Sequence, residues 1–239
     1  METAHAAGLG FPEARGLVPY FEQLGVSHLY LSPSLQARPG STHGYDVVDP
    51  TRISDDLGGE DEFRALCSAG LGVLLDVVPN HMAADEQHNP FWRDPLWRAK
   101  FFDLDWRTGT HRRFFDVGEL AGVREEDPEV FETVHRTVLE LVREGLVAGL
   151  RIDHPDGLAK PARYLERLRE SGVDHVWIEK ILEPGERLRD WPIEGTTGYE
   201  FLNDVTALFV DPAGEEPLTR LYRELTGERR PFADLAHVA

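Results

Sequence analysis

Three apolar runs in this chain each lead into a residue that can do nucleophilic or acid–base chemistry. The most informative is G-L-R-I-D-H-P-D-G, residues 149–157. Leu150 and Ile152 alternate with Arg151 and Asp153 at the period of a strand, so the arginine and the aspartate share one face. Pro155 and Gly157 stop the strand just beyond them. An arginine at that position is expected to hold Asp153 ionised, with a low pKa, and an ionised carboxylate at a strand end can be a nucleophile. A structural Arg–Asp pair is the alternative. The run H-V-W-I-E-K-I, residues 175–181, turns polar at Glu179, and G-V-L-L-D-V-V-P-N-H, residues 72–81, carries Asp76, Asn80 and His81 at or past its end. Chance scatters acids over helix faces. It does not set one at the end of each core strand.

The elements that must position these residues alternate. Helical spacing covers residues 16–24, 59–69, 127–144 and 161–171, and strand-like runs cover 27–31, 72–78, 150–153 and 175–181. In the longest helix Pro128 sits in the first turn and Gly145 ends it. Alternating strands and helices joined by short turns argue for a parallel sheet with right-handed crossovers. A doubly wound nucleotide-binding sheet would carry a glycine-rich phosphate loop, and neither G-x-G-x-x-G nor a Walker sequence occurs. Chemistry drawn from the ends of several strands is the pattern of a (β/α) barrel.

Composition narrows the partners. The excess of 43 acidic over 25 basic residues gives a formal charge of −18, which repels phosphate backbones and anionic lipid. Nucleic acid and membrane are therefore not expected as partners, whereas neutral polyols are compatible. The single cysteine, Cys67, excludes an internal disulfide and a cysteine metal cluster, and its helix-end setting makes it a packing residue. Ten histidines show no H-E-x-x-H or paired spacing, so no metal and no cofactor are expected. No apolar run approaches the ~20 residues of a membrane span. The start of the chain lacks the pattern of a signal peptide, which points to the cytoplasm.

Taken together, D-V-V-P-N-H (76–81), G-L-R-I-D-H-P-D-G and I-E-K-I-L (178–182) resemble the signatures of the α-amylase family of glycoside hydrolases and transglycosidases. The segments at 29–50, 114–124 and 183–203 are similar to the branch of that family that turns a terminal α-1,4 link of a maltooligosaccharide into an α,α-1,1 link. The resemblance implies a (β/α)8 TIM-barrel fold and a retaining mechanism, with Asp153 as nucleophile and Glu179 as general acid/base. The two carboxyl groups would then lie ~5–5.5 Å apart, and burial beside Trp177 and Ile178 would raise the pKa of Glu179. It further implies that Asp76 and His81 orient the sugar being cleaved, that Tyr45 and Asp46 give it a stacking face and a hydroxyl acceptor, and that His154 meets the downstream sugar. Each has a plainer alternative: Asp76 as a buried acid bonding Arg151, His81 and Tyr45 as loop residues, His154 as a loop residue bonding backbone. The role of Lys180 stays open. Asn80 resembles a calcium position in some amylases, yet this branch is not thought to need that ion.

The chain also departs from the family pattern. An alanine- and glycine-rich start at residues 1–10 stands in place of the opening strand, and the step from residues 103–107 to 111–115 is short where the family carries a long insertion. The later strands and the third catalytic carboxylate find no match, since Asp204 and Asp211 do not fit its motif. The expectation is one partial barrel domain over residues 1–239, with a shortened inserted subdomain around 84–125. Open sheet edges would invite a complementary chain supplying the missing strands. A weak α-glucosidic hydrolase and an inactive glucan-binding fragment are the alternative outcomes.

Overall fold

A computed structural model describes residues 9–105, 107–183 and 185–236, so the start of the chain, where no signal-peptide pattern is expected, lies mostly outside the described residues. The chain divides after Thr197 into two compact units.

In the first unit the elements run α1 (Phe11–Gln23), β1 (His28–Leu31), β2 (Leu35–Ala37), β3 (Val47–Ile53), α2 (Gly59–Cys67), β4 (Gly72–Val77), β5 (His81–Ala83), α3 (Pro90–Arg93), α4 (Pro95–Phe101), β6 (Leu104–Asp105), β7 (Thr110–His111), β8 (Arg113–Phe114), β9 (Val117–Gly122), α5 (Pro128–Arg143), β10 (Gly149–Ile152), α6 (Pro161–Glu170), β11 (Val176–Ile178) and β12 (Gly195–Thr196). The elements read from periodicity are all present, with ends shifted by a few residues at most except at the start of α1. Helix α5 begins where the sequence says it should: Pro128 occupies the first turn and the Asp127 carboxylate accepts from the Glu129 and Val130 amides. Gly145, at φ 73°, turns the chain out of it.

Among the described residues the main sheet has five parallel strands in the order β1-β4-β10-β11-β12. Period two divides its side chains. Leu29, Leu31, Val73, Leu75, Val77, Leu150, Ile152, Val176 and Ile178 are all buried and join one apolar cluster with Phe21 of α1, Phe63 of α2, Val138 of α5 and Leu168 of α6. The opposite face carries Tyr30, Leu74, Arg151, Trp177 and Thr196, all half-buried, around a hollow of about 290 Å³. This is the wall of a (β/α) barrel, with helices outside and polar chemistry inside.

Between β4 and α5 the chain makes an excursion of short helices and antiparallel strands, with β5, β9 and β8 forming a small sheet. Asn89 and Asp94 cap α3 and α4 through side-chain oxygens, each followed by a proline at the first helical position. Trp92, Phe101 and Phe102 are buried core residues.

The second unit holds α7 (Tyr199–Ala207), α8 (Glu215–Thr226) and α9 (Phe232–Ala236), none of which buries a residue.

Candidate active site

The carboxylates converge because of strand register. Arg151 of β10 stands opposite Asp76 of β4 on one side and Trp177 of β11 on the other, while Ile152 stands opposite Ile178. One step further along, Asp153 and Glu179 leave neighbouring parallel strands side by side, and the Glu179 amide still donates to the Ile152 carbonyl at 2.8 Å. Strand spacing in a sheet is about 4.8 Å, so matched register alone brings the two acids to one rim. Their charges act on each other: Glu179 is among the groups that raise the Asp153 pKa.

Arg151 links two acids. Its Nη1 donates to Asp76 at 2.9 and 3.0 Å and to Asp153 at 2.6 Å. Asp76 is sealed in, 1% exposed, and accepts two further bonds, from the Tyr30 hydroxyl at 2.5 Å and the Tyr45 hydroxyl at 2.8 Å. Burial lifts Asp76 to about 6, against the pull of Arg151 and the two tyrosines. It is thus ionised at neutral pH and accepts every bond offered to it. Asp76 is a buried acid that bonds Arg151.

One expectation is overturned here. Arg151 does not give Asp153 a low pKa: burial raises it above the ordinary carboxylate range, and Arg151 only opposes that rise. Desolvation wins because Asp153 is 9% exposed and the one guanidinium is shared with Asp76. Glu179, in turn, is only half-buried, short of the enclosure expected of it.

His81 is buried between partners, with Nδ1 against the Asn80 side-chain oxygen at 2.5 Å and Nε2 on the Tyr45 carbonyl at 3.0 Å. Burial lowers its pKa to about 4. Asn80 has a second task, donating through Nδ2 to the His154 carbonyl at 2.7 Å and so tying the strand end after β4 to the Asp153 loop. His154 lies in the left-handed region, φ 40°, a costly position for a residue before proline. Gly157 makes room for it, because a Cβ there would stand 3.0 Å from the His154 ring and 3.2 Å from the Asn80 amide. Asp46 is engaged nearby, accepting from the Ser41 hydroxyl with His43 at 3.9 Å.

Four further participants are Tyr30, Asn80, Phe114 and Phe115. Tyr30 was readable as a polar residue in an apolar alternation, but its partner was not. Asn80 stands visibly at a strand end, but its bonds to His81 and to the His154 carbonyl do not show in the sequence. Phe114 stacks on the His81 ring at 3.9 Å, and its neighbour Phe115, exposed and at φ 49°, lies 5.2 Å from the His154 ring. Phe115 and His154 are the two non-glycine residues with positive φ among the described residues, and they touch. No group of three or more His, Cys, Asp or Glu side chains among the described residues could hold a metal ion.

The α-amylase catalytic-domain family matches residues 16–184, a stretch that holds Tyr45, Asp46, Asp76, His81, Arg151, Asp153, His154 and Glu179. The chain belongs to the α-amylase family. Within this family it is 37% identical to the maltooligosyl trehalose synthase of Mycobacterium tuberculosis over 290 residues, covering 90% of this chain and 38% of that protein. The maltooligosyltrehalose synthase of Arthrobacter ramosus superimposes with a TM-score of 0.88 at 36% identity, covering 96% of this chain and 41% of that one. An α-amylase from Geobacillus thermoleovorans, 20% identical, shares the fold at a TM-score of 0.68 over 83% of this chain. The chain therefore spans about two fifths of the length of the synthases it matches. Within the matched stretch that relative carries residues with no counterpart in this chain.

Proposed function

We propose that this chain carries the retaining two-carboxylate centre of a maltooligosyltrehalose-forming transglycosidase. The observation that supports it most is the matched register of Asp153 and Glu179 at one rim, with Arg151 bonded to the first. The substrate is a maltooligosaccharide, the class to which the named synthase relatives point.

In this reading Asp153 attacks the anomeric carbon of the penultimate sugar. The bond to the glycosidic oxygen breaks, and Glu179 gives that oxygen its proton. The freed glucose stays, turns, and its 1-hydroxyl attacks the glycosyl–Asp153 ester while Glu179 takes the proton back. The product is an isomer of the substrate, so nothing is consumed. Tyr30, Tyr45 and Asp76 fix Arg151, and Arg151 orients Asp153 and keeps the departing carboxylate paired. Asp46 and His154 lie around the same rim, where each can meet a sugar hydroxyl, and His81 supports that rim by bonding Asn80 and the Tyr45 carbonyl. The excursion around residues 84–125 is read as the inserted subdomain that walls the cleft through Phe114 and Phe115. A complementary polypeptide supplying further strands is the partner proposed for the sheet edges.

Hydrolysis is the second reading, favoured by the half-exposure of Glu179, which lets water reach the glycosyl ester. Incubation with maltopentaose separates the two: a non-reducing trehalosyl product of unchanged mass supports the mutase, while new reducing ends support the hydrolase. Unchanged maltopentaose with binding retained would leave the glucan-binding fragment.

A further inference from the structure

Strand β11 ends at Ile178, so Glu179 is the first residue beyond the strand, and the next ladder residue is Gly195. Something else must hold the stretch that begins with it. The neighbouring Lys180 is turned toward the loop that follows Asp153. Its Nζ lies 3.0 Å from Asp156 Oδ2 and 3.0 Å from Glu186 Oε1, and it donates to Glu186 Oε2 at 3.2 Å. Glu186 closes its own loop by accepting from the Glu183 amide at 2.9 Å. One ammonium thus joins the Asp156 of the H-P-D-G tail to the stretch after Glu179, and its side chain is 16% exposed. It uses three motif residues to which the chemistry above gives no task.

We infer that Lys180 is a positioning residue whose clamp on Asp156 and Glu186 fixes Glu179 relative to Asp153. The inference rests on the proposed roles of those two carboxylates. A partly exposed ion pair adds little to stability. A displacement of about 1 Å between reacting groups, in contrast, lowers a rate about 100-fold. The clamp is therefore a device for geometry, and its loss should show in chemistry that needs both acids and hardly at all in folding.

Two substrates separate these effects in Lys180→Met and Lys180→Arg. Maltopentaose needs a proton from Glu179 to break its bond, whereas α-maltosyl fluoride loses fluoride to Asp153 unaided. Lys180→Met is expected to turn over maltopentaose about 10–100-fold more slowly, with first-turnover fluoride release within about 3-fold of the parent, and Lys180→Arg to recover most of the loss. An equal fall on both substrates, or no fall on either, overturns the inference. Hydrogen exchange tests the clamp without any activity. In Lys180→Met the Glu183 and Glu179 amides should exchange about 10-fold faster while the Leu150 amide, in the centre of the sheet, keeps its rate. Unchanged exchange at both residues overturns the clamp. If the parent protein turns over neither substrate yet exchange responds as expected, the clamp stands and the functional reading fails.

Discussion

The two faces of the five-stranded sheet are made by the same strands and do opposite work. Outward, Leu29, Leu75, Leu150 and Ile178 are buried in one apolar cluster with the helices. Inward, Tyr30, Asp76 and Arg151 form a chain of hydrogen bonds that ends on Asp153. The outer face contributes stability that any side chain of matching volume could supply. The inner face gives up burial to hold charges in fixed directions. A period of two residues separates the two tasks along every strand.

Substitutions should keep these tasks apart, and the largest effect belongs to the inner face. Asp153→Asn should lower maltooligosaccharide turnover by about 10⁴-fold or more while the melting temperature moves by only a few degrees. A variant that stays active would break the division at its centre. Leu150→Ala, fully buried on the outer face, should do the reverse. Chemical denaturation should register a loss of about 2–5 kcal/mol, with turnover per folded molecule unchanged.

Acidity sharpens the contrast, because Asp76 on the inner side and His135 in the helix layer are shifted in opposite directions. Burial raises Asp76 from 3.8 to about 6, so the folded chain holds that proton more tightly than the unfolded one. Its contribution to stability is full at low pH and is lost as pH rises through about 6. His135 of α5, in the helix layer, is lowered from 6.5 to about 4, with Nδ1 on the Phe131 carbonyl and Nε2 on the Tyr164 hydroxyl. Its contribution is lost as pH falls from about 6.5 to about 4. Each amounts to roughly 3 kcal/mol. Relative to the parent, Asp76→Asn should lose stability less as pH rises from 4 to 6, and His135→Gln should lose it less as pH falls over the same window. Urea titrations at a series of pH values read both slopes, and slopes of the same sign would refute the assignment. Tyr30→Phe should have the smallest effect. It removes one of the bonds to Asp76, at a cost of about 1 kcal/mol, and should reduce turnover more than it reduces stability.

The outer face was almost wholly legible in the sequence, because apolar alternation and helical spacing report burial directly. The rim was legible in its acids: Asp153 and Glu179 each stand where an apolar run turns polar, and parity alone puts Arg151 beside Asp153. What could not be read was contact between distant elements. Tyr30 and Asp76 are 46 residues apart and meet only through the register of β1 on β4. Phe114 reaches His81 only because β8 and β9 fold back onto β5. The raised pKa of Asp153 escaped for the same reason: a sequence shows the arginine next door but neither the second acid that shares it nor the water that burial removes.

The account turns on Asp153 forming a covalent bond to sugar, and one measurement addresses that directly. Glu179→Gln, which lacks the base needed to release the sugar, is incubated with α-maltosyl fluoride, digested, and its peptides weighed by mass spectrometry. A maltosyl adduct on Asp153 is the predicted result; an adduct on another residue, or continued turnover with Asp153 unmodified, would contradict the account.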